Sequence, residues 1–195
     1  MDELSDIELV LQSQQSKRSA FNELVVRYQD RLYNAVYRLV NNQNDALDIC
    51  QEAFVRAFKS IRNFRGKSSF HTWLYQIAMN QCYTHFDKSK KEKVKIDNQI
   101  RQEAKKVTAE KVNMADTKML SLNPSKNAEV KERAQAIQTA LDSLPDGLKK
   151  AVILKDVDNL SYNEIAQTLK LSVHVVRRYI CEAREQLRES LKSYL

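Results

Sequence analysis

The 195-residue sequence predicts an all-α protein of two small helical domains joined by a polar linker, and three observations carry that prediction. Apolar residues recur three and four apart almost throughout, which gives helices with one buried stripe. Gly and Pro occur only twice each, and alternating β-branched runs between turn residues are scarce. The periodicity lapses once, from Lys88 to about Asn127, where the chain is polar and Lys-rich and carries Pro124. The divisions are therefore a domain over 1–90, a linker over 91–127 and a second domain over 128–195. A chain of this size buries one modest core or two small ones.

The elements follow in order. In "AFNELVVRYQDRLYNAVYRLV" (20–40), Phe21, Leu24, Val25, Tyr28, Leu32, Ala35, Val36 and Leu39 form one stripe of a long amphipathic helix. Asn44 is positioned to cap a second helix running to about Ile61, and Ser69 a third running to about Asp87. "NFRGKSSF" (63–70) joins them, with Gly66 marking a turn. Beyond the linker come a helix from Ala128 to Leu144, another in "LPDGLKKAVILKDV", and a helical hairpin over 159–185. Ser161 and Glu164 form a capping box, so the first hairpin helix begins at Tyr162. Ile165, Ala166 and Leu169 are its buried face, Leu171 plugs the turn, and Ser172 caps the second helix.

That second helix is expected to bury Val176, Tyr179, Ile180, Ala183 and Leu187, leaving His174, Val175, Arg177 and Arg178 outward near its start. In a DNA-reading helix-turn-helix this end enters the major groove; the other reading is an ordinary hairpin in a packed domain. Lys170 stands where such hairpins commonly carry Gly, a small cost if it accepts a mildly strained backbone, and its amine is placed to meet a phosphate.

Composition agrees with a polyanionic partner. The net charge is +7 and the isoelectric point about 9.2, and Lys and Arg release condensed counterions when they meet phosphate. The acidic start "MDELSDIELV" lacks the apolar core of a leader, and no apolar stretch approaches bilayer length, so the protein is expected in the cytoplasm. Cys50, Cys82 and Cys181 are odd in number and far apart, without C-x-x-C spacing, and read as reduced small hydrophobes. No cofactor is expected.

Two more faces bear on function. On the helix starting at Ser69, Phe70, Trp73, Leu74, Ile77 and Ala78 make a core stripe. The opposite side carries Thr72, Gln76, Met79 and Tyr83 with Asn80 at its edge, while Arg65, Lys67 and the run from Lys88 to Lys95 lie at its ends. Aromatic, amide and basic groups together suit unstacked single-stranded bases and their phosphates; the other reading is a solvated face. Asp45, Asp48 and Glu52 share a face that nucleic acid would repel. A helix N-terminus favours the first two but hardly Glu52, two turns in, so a docking face for a basic protein is the functional reading. These three carboxylates, with no His near and no second cluster, do not enclose a divalent ion.

The order "DALDICQEAFVRAF", "FRGKSSFHTWLYQIAMN", a polar linker, "SLPDGLKKAVILKDVDNLSYNEIAQTLKLS" and "EAREQLRESL" closely resembles the two-domain extracytoplasmic-function group of bacterial sigma factors, over nearly the whole chain. The resemblance implies a first domain that binds and opens the minus-ten element, a second that reads the minus-thirty-five element, and a linker threading the polymerase. It implies a non-enzymatic factor that binds core RNA polymerase, through the coiled coil of the largest subunit and the flap, and starts transcription of a stress-response regulon. Carried over by position, Asp45, Asp48, Gln51, Glu52 and Phe54 are the polymerase contacts. Phe64, Arg65, Lys67, Ser68, Phe70, Gln76, Asn80 and Tyr83 are the minus-ten contacts, around a loop that receives a flipped base. Lys170, Ser172, His174, Val175, Arg177 and Arg178 are the minus-thirty-five contacts.

The chain departs from the family pattern at His174, Val175, Tyr179 and Glu182, so base preference at the minus-thirty-five element does not transfer, and Met79 replaces a common Arg. "LNPSKNAEVKER" and "AFNELVVRYQDRL" are most similar to the envelope-stress subgroup, which implies an anti-sigma factor anchored in the membrane. The alternative is a one-component regulator using the same hairpin. It would form a symmetric dimer on a palindromic site, whereas the sigma reading expects a monomer when free.

Overall fold

The computed structural model describes residues 4–86 and 127–194. The Lys88 to Lys95 run, and all but the last residue of the expected linker, lie outside the described residues. Eight α-helices appear among them: α1 Asp6–Gln14, α2 Arg18–Val40, α3 Gln43–Ser60, α4 over 70–86, α5 Asn127–Ser143, α6 Asp146–Asp156, α7 Tyr162–Leu169 and α8 Val173–Ser190. Short 3-10 turns at Ile61–Asn63 and Lys192–Tyr194 follow α3 and α8. The described residues contain no strand.

α1 is an element that the apolar spacing did not reveal. Ser5 caps it by accepting from the Glu8 backbone N–H, and the Glu8 carboxylate returns the contact to the Ser5 N–H at 2.7 Å. Leu9 and Val10 bury against the rest of the first domain. α2 ends at Asn41, whose φ of 54° turns the chain left-handed, and Asn42 then caps α3 by accepting from the N–H groups of Asn44 and Asp45. The cap is thus Asn42 and not Asn44, because the turn is complete within Asn41 and Asn42 and Asn44 already lies inside the helix. Ala35, Ala46, Ala53 and Ala57 are fully buried, and side chains this small let α2 and α3 approach closely.

α4 departs from its expected stripe. Phe70, Leu74, Tyr75, Ala78, Met79 and Cys82 are buried, while Trp73 and Ile77 are only half-buried. Thr72 and Met79, expected on the outer side, are both buried. The reason is that α4 is covered twice, by α2 and α3 of its own domain and by the second domain on its far side. α6 is the centre of that second domain, with every residue from Leu148 to Leu154 buried, as expected of a helix surrounded by partners.

The two domains meet along α2 and α4 on one side and α5, α6 and α7 on the other. The Tyr75 hydroxyl donates to Asp158 Oδ1 at 2.7 Å, with both residues buried. Lys149 Nζ donates to the Leu39 carbonyl at 2.8 Å and to Asp142 Oδ1 at 2.7 Å. A cation at the end of α2 meets the negative pole of that helix as well as a free carbonyl. Gln138 and Asn41 add contacts to the Arg38 carbonyl and to Asp142.

Candidate nucleic-acid and docking interfaces

The loop over 64–69 is built around Phe64. Its ring lies 4.8 Å from that of Trp73 and 6.5 Å from that of Phe70. From the other side, the Gln14 amide of α1 donates to the Ile61 carbonyl at 3.1 Å and to the Phe64 carbonyl at 2.9 Å. Gly66 has φ +66°, which an L side chain rarely adopts, and this lets the loop fold back on α4. A cavity of about 340 Å³ results, lined by Phe64, Arg65, Lys67 and Ser68 from the loop and by Trp73 and Gln76 from α4. Five of the eight expected minus-ten contacts therefore converge on one space large enough for a base, walled by aromatic rings and rimmed by two cations.

The other three fall differently. Phe70 is buried, ringed by Phe21, Tyr28, Phe64 and Trp73, so it holds the loop from beneath and offers no face to a base. Asn80 is exposed one turn beyond Gln76. Tyr83 is exposed too, but Lys150 of the second domain sits over its ring at 3.7 Å from the centroid. Met79 cannot stand in for a surface cation, because it is part of the core. Gln14 was not legible as part of this surface, since nothing in its spacing distinguishes an amide that props a loop from one that faces water.

The acidic face of α3 is exposed at Asp48, Gln51 and Glu52, with Arg56 pairing Glu52 at 2.5 Å. Asp45 is turned toward α4, where its carboxylate meets His85 at 3.4 Å. Phe54 is half-buried against the core. Leu47 and Val55 are exposed beside the carboxylates and were not singled out by charge alone. Apolar side chains among acidic ones suit a protein partner better than a nucleic acid.

At the far end, Ser161 and Ser172 cap the two hairpin helices, the first through a full capping box. Lys170 takes φ 55°, ψ 43°, the left-handed conformation its position demands. Ser172, His174, Arg177 and Arg178 are exposed, and Val175 is half-buried. Arg177 lies 5.5 Å from the Tyr162 ring and Arg178 5.7 Å from that of Tyr179. Burial pushes the thiols of Cys50 and Cys82 up to about 12, leaving them inert, whereas Cys181 is exposed on α8; all three are free thiols. No helix among the described residues is long and apolar enough to cross a membrane.

An aromatic-lined loop cavity, an acidic α3 face and a capped helix-turn-helix thus lie on one chain of two helical domains. Residues 24–92 match the family model of Sigma-70 region 2 and residues 134–187 that of Sigma-70 region 4, so the chain belongs to the sigma-70 family. Within that family it is of the extracytoplasmic-function type. It is 34% identical over 186 residues to the ECF RNA polymerase sigma-E factor of Escherichia coli, covering 95% of this chain and 94% of that one. It is 31% identical over 193 residues to the RNA polymerase sigma-H factor of Pseudomonas aeruginosa, covering 97% and 95%. The fold is shared with solved structures of CnrH in complex with the cytosolic domain of CnrY (TM-score 0.70, 21% identity, 96% of this chain and 97% of that one). It is also shared with the sigma factor RpoE from Bartonella quintana in complex with the anti-sigma factor NepR (TM-score 0.64, 22% identity, 88% and 96%). Sigma factors are transcription initiation factors and not enzymes, and the dimeric one-component regulator drops out against a match along nearly the whole chain.

Proposed function

We propose that this sigma factor docks on core RNA polymerase through α3, holds an opened minus-ten strand on α4 and the 64–69 loop, and reads a minus-thirty-five duplex with the start of α8. Asp48, Gln51 and Glu52, with Leu47 and Val55, meet the coiled coil of the largest polymerase subunit, while the second domain lies against the flap. A flipped minus-ten base enters the cavity between Phe64, Trp73 and Gln76, and Arg65 and Lys67 neutralise its phosphates. His174, Val175 and Arg178 face base edges, with Lys170, Ser172 and Arg177 on the backbone. The protein acts in the cytoplasm on a stress-response regulon, is a monomer when free, and is controlled by an anti-sigma factor. The extracytoplasmic-function type of the relatives fits the stress role, and the structural neighbour solved with the anti-sigma factor NepR supports the control.

The observation that carries the reading is the segregation of charge. In a chain of net charge +7, the exposed carboxylates of α3 stand apart from the cavity lined by Arg65 and Lys67. Replacing both Asp48 and Glu52 by Lys should abolish binding to core polymerase and start-site selection on genomic DNA, with the helical circular dichroism unchanged, because exposed charges contribute little to stability. Unchanged affinity at moderate salt would show that α3 is not the docking face. Mapping the starts made by the wild-type chain with core polymerase yields both promoter elements from the aligned upstream sequences.

A further inference from the structure

The loop that carries Phe64 is not wedged in place. On one side lies the cavity with Trp73 and Gln76, and on the other an open cleft of about 580 Å³ between the loop and α1, lined by Val10, Leu11, Gln14 and Phe70. At the loop's tip, a Cβ added to Gly66 would meet nothing within 4 Å. With space on both faces, close packing does not decide where the Phe64 peptide sits. Hydrogen bonds do. Gln14, the last residue of α1, turns both protons of its amide on this one segment, donating to the Ile61 carbonyl at 3.1 Å and to the Phe64 carbonyl at 2.9 Å. The Phe64 N–H itself donates to the Ile61 carbonyl at 3.0 Å, so the three groups form a closed set. Arg62, between them, donates to the Ser16 hydroxyl just past α1 at 2.6 Å. We propose that Gln14 is a positioning residue for base selection: by holding the Phe64 peptide from behind, it fixes one wall of the cavity that receives a minus-ten base, without touching that base. This rests on the assignment of the cavity to the strand.

The chemistry of selection needs such a brace. Stacking on an aromatic ring tolerates every base, so discrimination comes from the fit of the cavity and from hydrogen bonds to the base edge, the kind that the Gln76 amide offers. Both depend on how far the Phe64 ring stands from Gln76 and Trp73, and a wall free to move admits the wrong base as readily as the right one. The Phe64 carbonyl lies in extended backbone (φ −69°, ψ 117°) beyond the 3-10 turn, where no helix supplies a donor, so its partner must come from another element. α1 has no need of the contact for its own sake. It starts on the Ser5 capping box and is anchored by Leu9 and Val10, while Gln14 stands at its far end.

The test compares the full chain with Gln14→Met, which keeps the length of the side chain and removes its donors, and with Gln14→Lys, which restores donors of similar reach. Each is assembled with core RNA polymerase and offered duplex DNA with a single-stranded extension randomised at every position, and the bound fraction is sequenced. Gln76→Ala, a change in the cavity wall itself, marks which position of the strand the cavity reads. At that position alone, Gln14→Met should lower the enrichment of the preferred base by about five- to tenfold, the scale of one hydrogen bond lost from a binding site. Gln14→Lys should restore it. In the free chain, Trp73 should become more accessible to acrylamide in Gln14→Met, as the Phe64 ring 4.8 Å away departs, and return to the wild-type value in Gln14→Lys. A loss of enrichment spread evenly over all positions, no rescue by Gln14→Lys, or equal quenching of Trp73 in all three proteins would overturn the positioning role. If Gln76→Ala flattens one position and Gln14→Met flattens none, the brace is lost while the cavity keeps its base. If neither variant changes any preference, the assignment of the cavity to the strand fails and the brace with it.

Discussion

Asp158 is an unusual residue to find at a domain contact. It is 5% exposed, and while Oδ1 accepts from Tyr75, Oδ2 has no partner. Burial pushes its carboxyl up to about 6, against the smaller opposing pull of the Tyr75 hydroxyl and Arg31. The folded chain thus holds a proton that the unfolded chain has released by about pH 4. The stabilisation is complete below that pH and is lost as pH rises through about 6. His71 works in the opposite sense nearby, since burial lowers its pKa and makes protonation unfavourable in the folded state. Subtracting a variant isolates the aspartate. The unfolding free energy of the wild type minus that of Asp158→Asn should fall between pH 4 and pH 7, measured by chemical denaturation across that range; a flat difference would mean that the carboxyl is solvated.

At the scale of the element, the second domain shows how little room its helices leave. Gly147, in the first turn of α6, sits so close to α8 that an added Cβ would lie 2.8 Å from Tyr179 Cε2. Gly147→Ala should cost roughly 1 to 3 kcal/mol through overpacking, although alanine is the better helix former. Tyr179→Leu in the same chain should recover most of the loss, as seen in thermal melts of the single and double variants. The same close fit explains which elements could be read in advance. The starts of α7 and α8 were legible to the residue because Ser161, Glu164 and Ser172 are local signals that act within one turn, whereas α8 runs on to Ser190, and Leu169, Tyr179 and Leu187, expected in the core, are only half-buried. α1 was not read, though Ser5 and Glu8 carry the same signature, because Leu4, Ile7 and Leu11 stay exposed around a core of only Leu9 and Val10. In α4 the expected stripe holds at Phe70, Leu74 and Ala78 but not at Trp73 and Ile77, which are only half-buried. Thr72 and Tyr75 are buried against the second domain, and no spacing within a helix reports a partner some eighty residues away.

Across the whole molecule, the buried residues of both domains form one continuous cluster, from Leu9 to Ala183. Trp73, the sole tryptophan, lies in the first domain, so its fluorescence reports that half while helical circular dichroism reports both. The two signals should follow a single transition in the wild type. Lys149→Met keeps the length of the buried side chain but removes its bonds to the Leu39 carbonyl and to Asp142, and should separate the two transitions. Coincident transitions in that variant would show that the domains are held by apolar contact alone. The exposed acidic side of α3, which we propose for polymerase docking, lies outside this shared core, so its charge pattern was legible in the sequence, whereas the covering of α4 by the second domain was not.

That covering has a thermodynamic corollary. The bonds from α4 to Glu164, Gln167 and Asp158 exist only while the two domains are together. A partner whose binding needs the domains apart must work against them, and by linkage those bonds weaken that partner's hold by the same factor by which it loosens them.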